Sequence, residues 1–324
     1  MTHRWNWNAQ VSRAKPGVAT GAGRQVTAGF ARTEVRVIAP DLACSRGVES
    51  WVHELRQLHD ASFGVDWDAH LAALNRKFGF GDENGFRLPG HQVPPGWFNG
   101  DVESLSSGAW TLVISINPGA NPVSPDWYER HNTPEELWRH WRTYNRDIVR
   151  TQSDFFPRLV QVARGILGDF SDGDPSDYAT ERMLFVELIP YASAKWPPRR
   201  VQPGQKFDER AISDFLHDDP GVAICRRIIE LVLESARLVL LNGRPAALNV
   251  PRAVPRLADL RRVEYQSAYR PTKRLWHLEG LTSGGAVVMG FPLLRSIRGH
   301  NANVEIQQLI TAGRQLAFGP AEPG

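Results

Sequence analysis

Four short and nearly continuous apolar segments constrain the fold of this chain more than any other feature. They are Trp110–Ile116, Met183–Ile189, Arg237–Leu241 and Ala286–Met289. Strands that are apolar along their whole length are typical of a parallel sheet covered by helices on both faces. Segments with helical periodicity lie between and after them, at Glu135–Val149, Asp154–Leu167, Gly221–Ser235 and Asn303–Leu316. The pattern predicts an α/β fold with three layers, α/β/α, around a central, mainly parallel four-stranded sheet.

Residues 1–105 lack this alternation and form a predicted accessory N-terminal region, whose start we expect to be mobile. It contains two helical patterns, Val48–His59 and Trp67–Phe78. The main domain is predicted over 106–318, with insertions at 120–182 and 190–220, and residues 319–324 form a tail.

The composition excludes several classes of protein. No apolar run approaches the roughly 20 residues that a membrane span needs, and the N-terminus lacks the apolar core of a secretion signal. Only two cysteines are present, Cys44 and Cys225, too few for a disulfide framework or a four-cysteine metal site. No Gly-rich dinucleotide motif follows a strand, and there is no Walker-type loop. We therefore expect a cytoplasmic protein without a metal, a cofactor or an obligatory protein partner.

The charge is concentrated towards the C-terminus. The net charge is +3, but residues 183–324 contain 19 Lys and Arg against 13 Asp and Glu. The densest basic stretches are Lys195–Arg210 and Arg252–Arg274, and the second is interleaved with aromatic residues. Such a pattern suits a surface that follows a nucleic-acid backbone. A solvated basic face with ordinary packing aromatics fits the charge equally well.

Each of the four predicted strands runs into a polar or Pro/Gly-rich turn. The turns contain SINPGA at 115–120, VELIPY at 186–191, LNGRPAA at 241–247 and GFPLLRS at 290–296. In an open parallel sheet, ligands bind beyond the carboxyl ends of the strands. The sequence therefore predicts a site assembled from these turns.

Taken in order, the four turns resemble those of the uracil-DNA glycosylase superfamily. SINPG at 115–119 is similar to the first signature of the mismatch-type and single-strand-selective branches. LVLLNGRPAAL at 238–248 is similar to the third strand and its turn, and GFPLLRS occupies the place of the family's His-Pro-Ser loop. The resemblance covers about residues 108–315. It implies a monofunctional DNA glycosylase, which hydrolyses an N-glycosidic bond and leaves an abasic site.

The resemblance also implies a catalytic role for Asn117. In that role its side-chain carbonyl positions the attacking water, while the backbone N–H groups of Gly119 and Ala120 donate to the base as negative charge develops on it. The alternative is an asparagine that stabilises the turn through its own backbone. A flipped base also needs a stacking partner, for which Trp127 and Tyr128 are candidates, although either could be a core residue.

Two positions depart from the family pattern. Glu187 stands where uracil-specific relatives have an asparagine, and an ionised carboxylate only accepts hydrogen bonds. Cytosine offers the N4 amino donor that uracil lacks, so we predict a cytosine-type base, unless Glu187 points outward or pairs with Arg199 or Arg200. Phe291 stands at the place of the family's histidine and cannot donate to the base, which leaves His300 or Arg295 as substitutes.

The remaining site residues are predicted DNA contacts. Leu293 and Leu294 could fill the space left by a flipped base, or simply pack within their loop. The predicted phosphate-contacting residues are Lys195, Arg199, Arg200, Arg295, Ser296 and Arg298. Nothing marks Lys195 as a Schiff-base nucleophile, so we expect no lyase activity.

Three functions remain open. The first is removal of a modified cytosine from DNA, which we expect to be double-stranded. The long insertions make the chain similar to antiviral glycosylases that act on hypermodified phage cytosines such as glucosylated 5-hydroxymethylcytosine. The second is repair of uracil or mismatched thymine. The third is a non-catalytic DNA-binding module on the same fold.

Overall fold

The protein is described from a computed structural model. It describes residues 48–81, 85–88, 93–107, 109–116, 132–147, 155–169, 173–193, 196–198, 207–267, 272, 274–291 and 302–319. All of these residues belong to one compact unit, Leu42–Gly324.

A six-stranded sheet forms the centre of this unit. Its strands are β1 (Thr111–Ser115), β2 (Met183–Glu187), β3 (Leu238–Asn242), β4 (Arg261–Gln266), β5 (Arg274–Leu281) and β6 (Val287–Phe291). Their order across the sheet is β2-β1-β3-β6-β5-β4. The first four strands in that order are parallel, and they are the four that the sequence predicts. The predicted number of strands is too low, because β5 and β4 extend the sheet in antiparallel pairing.

Nine helices are present in the described parts of the chain. They are α1 (Val48–Ala61), α2 (Trp67–Phe78), α3 (Pro134–Asp147), α4 (Phe155–Leu167), α5 (Pro175–Glu181), α6 (Glu209–Asp218), α7 (Pro220–Val232), α8 (Arg244–Ala253) and α9 (Ala302–Phe318). None of them combines the length and the apolar character that crossing a membrane requires. The helical spacing of apolar residues predicts α2 with the bounds that the structure has. In the structure Asp66 caps its start, and Gly79, with a φ of 65°, ends it.

The sheet separates two hydrophobic cores, which confirms the three-layer prediction. Alternate strand residues such as Leu112 and Leu184 face a first core with α1, α2, α7 and α8. Their neighbours Val113 and Phe185 face a second core with α4, α5 and α9. Helices α1 and α2, which belong to the predicted accessory region, therefore share a core with the sheet.

The sequence prediction misses β4 and β5 for a physical reason. Both strands are half-exposed and carry charged side chains, so they lack the continuous apolar pattern of the buried strands. β4 forms the outer edge of the sheet. An edge strand with alternating charged residues resembles a basic surface loop when only its composition is read.

The opposite edge of the sheet, β2, is covered by the chain at residues 99–100. Asn99 exchanges two backbone hydrogen bonds with Phe185, of 2.9 and 2.8 Å, and the Gly100 amide donates to the Trp141 carbonyl of α3 at 3.1 Å. Gly100 has a φ of 139°, and a Cβ atom there would lie 2.4 Å from the Met183 carbonyl oxygen. Only glycine fits this close approach. Residues 99–100 therefore connect α3 to the β2 edge.

A buried carboxylate joins α2, α7 and the segment after β2. The Tyr191 hydroxyl donates to Asp219 Oδ1 at 2.9 Å, and the Val222 amide donates to the same oxygen at 3.0 Å. His70 Nε2 lies 2.9 Å from Asp219 Oδ2. The Asp219 side chain is 1% exposed, so these hydrogen bonds replace the hydration that its carboxylate loses on burial.

We expect Asp219→Ala to lower the free energy of unfolding by about 3 kcal/mol or more, because it removes a buried carboxylate that accepts from both the Tyr191 hydroxyl and the Val222 amide. Asp208 is the matched control: it caps α6 by accepting from the Ala211 amide at 3.0 Å, but it is exposed. Asp208→Ala should cost only about 1 kcal/mol. Urea unfolding of both variants checks the difference, and equal losses would contradict a buried hub at Asp219.

Candidate active site at the carboxyl end of the sheet

Most of the predicted site residues lie outside the described residues. These are Asn117, Gly119, Ala120, Trp127, Tyr128, Lys195, Arg199, Arg200, Leu293, Leu294, Arg295, Ser296, Arg298 and His300. Glu187 and Phe291 are described. Both end a parallel strand, so the structure defines the edge of the sheet from which the predicted turns depart.

Four residues lie level with one another at this edge, and we call them the strand-end row. Glu187 of β2 pairs with Ser115 of β1, and Asn242 of β3 pairs with Phe291 of β6. Ile114 pairs with Leu241, so the next residues along, Ser115 and Asn242, are also level. Since side chains alternate along a strand, the members of the row share one face of the sheet.

Ser115 and Asn242 are joined by a hydrogen bond. Asn242 Nδ2 donates to Ser115 Oγ at 3.0 Å. Asn242 is 9% exposed, and its Oδ1 atom is buried without a hydrogen-bond partner among the described residues. Gly243 follows with a φ of 90° and begins the turn into α8, a backbone conformation that favours glycine.

Glu187 is the most unusual member of the row. The residue as a whole is partly accessible, but its Oε2 atom is buried and has no partner in the described part of the chain. Burial raises the pKa of Glu187 from 4.5 to about 8. Among the described residues, burial alone causes that shift, which argues against an outward-pointing side chain. The predicted alternative of a pair with Arg199 or Arg200 lies outside the described residues.

Two further titratable side chains are close to Glu187. Burial, and then the charge of Glu187, raise the pKa of Tyr144 on α3. Burial, followed by the charges of Glu187 and Asp219, raises the pKa of the Cys225 thiol on α7. Tyr144 is half-buried. The centroid of its ring lies 5.4 Å from that of His140 and 5.6 Å from that of Trp141. Tyr144 therefore belongs to an aromatic cluster on α3.

Tyr144, Ser115 and Asn242 were not among the predicted site residues. Ser115 and Asn242 are visible in the sequence as the polar residues that end two apolar strands, which is a usable signal. Tyr144 offers no such signal, because helical periodicity alone does not show which side of α3 faces β2.

Phe291 differs from its prediction as a turn residue that contacts the base. β6 continues through Gly290 to Phe291, and the Phe291 ring is 1% exposed within the second core. A ring in this position stabilises the packing between the sheet and α9. It offers no free surface to a base in this structure.

The basic stretch Arg252–Arg274 is largely neutralised where the structure describes it. Four of its arginines form ion pairs: Arg252 with Glu209, Arg256 with Glu234, Arg261 with Glu279 and Arg262 with Glu264. Arg262 also lies over the Trp276 ring, 5.0 Å from its centroid. These contacts favour the alternative of a solvated face with packing aromatics over a surface that follows a nucleic-acid backbone.

The row can perform hydrogen bonding and proton transfer. At neutral pH a carboxyl with a pKa of about 8 is mostly protonated, so Glu187 can donate as well as accept a hydrogen bond. Within the described ranges, no group of three or more His, Cys, Asp or Glu residues is placed to hold a metal ion.

Two comparisons with known proteins find no match for this chain. No protein-family model matches it, and no curated protein matches it.

The buried carboxyl makes stability depend on pH. The folded state keeps the Glu187 proton up to about pH 8, whereas the ordinary pKa is 4.5, so stability falls as pH rises between these values. At about 1.4 kcal/mol per pKa unit, the loss amounts to a few kcal/mol. The difference in unfolding free energy between Glu187→Gln and the wild type should therefore increase in favour of the variant by a few kcal/mol from about pH 5 to about pH 9.

Urea unfolding at the two pH values measures this gain. Glu209→Gln, which changes an exposed glutamate on α6, is the control and should show no comparable gain. Parallel pH profiles for the wild type and Glu187→Gln would mean that Glu187 ionises normally in the folded protein.

Proposed function

We propose that this protein is a monofunctional DNA glycosylase. One observation carries the proposal: the four strands that bear the family-like turns are neighbours, parallel and in the order β2-β1-β3-β6. Their turns therefore depart side by side from one edge of the sheet. The segment that contains Asn117 follows β1, which lies between β2 and β3, next to both Glu187 and Asn242.

The chemistry of the reaction fits such an edge. Breaking an N-glycosidic bond leaves positive charge on the sugar and negative charge on the departing base. A positioned water and hydrogen-bond donors to the base suffice, and a strong general base is unnecessary. Asn117 is proposed to hold the water, and the strand-end row is proposed to contact the flipped base.

The proposed substrate is a modified cytosine in DNA, such as the hypermodified cytosines of phage genomes. Glu187 supports this choice because its Oε2 atom is buried at the strand end without a hydrogen-bond partner among the described residues. A cytosine provides both an acceptor at N3 and a donor at N4 for such a group. Action on phage DNA rests on the sequence resemblance, and it implies a cytoplasmic location.

Repair of uracil or thymine is a second candidate, because of one specific observation. A protonated carboxyl can donate to the O4 atom of uracil and accept from its N3–H group, and burial favours the protonated form of Glu187. The discrimination expected of an ionised glutamate is therefore weaker. The substrate has to be identified by experiment.

We expect the purified protein to release a modified cytosine from duplex oligonucleotides, with little release of uracil or mismatched thymine. Free base and alkali-labile abasic sites measure the reaction. Asn117→Ala should slow single-turnover release by about 100-fold or more, because the water loses its position, while DNA affinity changes little.

Two results would count against this assignment. Release of uracil alone would show that the protein is a repair glycosylase and does not act on modified cytosine. Salt-sensitive DNA binding without release of any base would favour the non-catalytic module.

Arg244 is the residue from which we expect a DNA contact. It is exposed at the start of α8, directly after the strand-end row, and has no ion pair among the described residues. Arg237 is equally exposed and unpaired in that set, but it lies just before β3, at the opposite end of the strand. Arg244→Gln should weaken DNA binding and lower the slope of log affinity against log salt by about 1.

Arg237→Gln is the matched control for this measurement and should leave both the affinity and the slope unchanged. Equal effects of the two substitutions would show that DNA does not contact the carboxyl end of the sheet in preference to the amino end.

A further inference from the structure

The surroundings of Glu187 are those of an uncharged acid. Its Oε2 atom is buried without a described partner, and no described cation forms an ion pair with it. The residue as a whole is partly accessible at the end of β2. A carboxyl that is desolvated and unpaired favours its neutral form, and a neutral carboxyl carries a transferable proton.

Resting on the proposed function, we propose that Glu187 is the proton donor to the departing base and that the substrate is a cytosine-type base that accepts this proton at its ring nitrogen N3. The O–H group of the carboxyl donates to N3 in the bound state. As the glycosidic bond breaks, the proton moves to N3. Glu187 thus contacts the reacting base and is a catalytic residue.

The chemical identity of the base follows from this role. Cytosine has a lone pair at N3, next to its exocyclic amino group. Uracil and thymine already carry a hydrogen at N3, so a proton cannot be delivered there. A modification at C5 leaves N3 unchanged, which makes cytosines with large C5 substituents suitable substrates.

The reaction balances without a co-reactant other than water. The C1′–N1 bond breaks, and its electron pair goes to the base. The base takes the Glu187 proton at N3 and departs as a neutral tautomer of cytosine, while Glu187 becomes a carboxylate. Water then forms a bond to C1′ and releases a proton, which restores the acid form of Glu187.

The groups around Glu187 are compatible with this cycle. Among the described residues, the titratable side chains that interact with it are Tyr144 on α3 and Cys225 on α7. Burial raises the pKa values of both, so neither is charged at neutral pH. β1 contributes Ser115, which is not titratable. The pKa of Glu187, about 8, matches a donor that works near neutral pH and regains its proton after each turnover.

Glu187→Gln tests the proposal sharply, because glutamine matches the neutral acid in shape and hydrogen bonding but has no proton to transfer. On a duplex with the cytosine-type base that the wild type releases, the variant should retain affinity within a few-fold. Its single-turnover rate should fall by about 100-fold or more. The wild-type rate should fall as pH rises above about 8, whereas the residual rate of the variant should not.

Glu279→Gln is the control for loss of a buried glutamate from the same sheet. Glu279 lies on β5, 2.8 Å from His277 Nε2, and its substitution should leave the rate within a few-fold. Urea unfolding confirms that each variant is folded under the assay conditions.

The outcomes separate this inference from the proposed function. A Glu187→Gln rate close to that of the wild type overturns the inference and leaves the glycosylase intact. Release of only uracil or thymine overturns the proton transfer to N3. Failure of the wild type to release any base overturns both proposals.

Discussion

Burial of a parallel sheet on both faces is the constraint on which the rest of this structure depends. The strands β1, β2, β3 and β6 are apolar almost to their last residue because a helical layer covers each face. Their polar end residues are consequently held between the two layers rather than in bulk water. The strand-end row arises in this way, since Glu187, Ser115 and Asn242 extend strands whose preceding residues are fully enclosed.

The electrostatics of the edge follow from this burial. A carboxyl in such a place loses its hydration, and in the described part of the chain neither a cation nor a hydrogen-bond donor replaces that hydration for Oε2. The folded state tolerates this loss of hydration because the two cores and the hydrogen bonds of Asp219 stabilise the surrounding elements. A group that is unfavourable for stability above its ordinary pKa is at the same time well suited to hold a proton near neutral pH.

The sequence predicted what depends on strong local patterns. Continuous apolar runs identified the four parallel strands, and the helical spacing of apolar residues identified α2. β4 and β5 were missed because alternating charged residues on an edge strand resemble a surface loop. The position of Glu187 at a strand end was predictable, but its protonation state was not, since that depends on α3 and α7, which approach from distant parts of the sequence. Tyr144 was missed for the same reason. Phe291 was predicted as a turn residue, but it lies in the core because β6 extends beyond the apolar segment Ala286–Met289.

The most direct measurement of the central claim is the titration of the Glu187 carboxyl itself. ¹³C NMR of protein labelled at the glutamate side-chain carboxyl carbons can follow it, with the Glu187→Gln spectrum assigning the signal. A buried and unpaired acid at the end of β2 predicts a midpoint of about 8. A midpoint close to the ordinary value of 4.5 would show that the carboxyl is solvated or paired, and would contradict the neutral acid from which its role has been inferred.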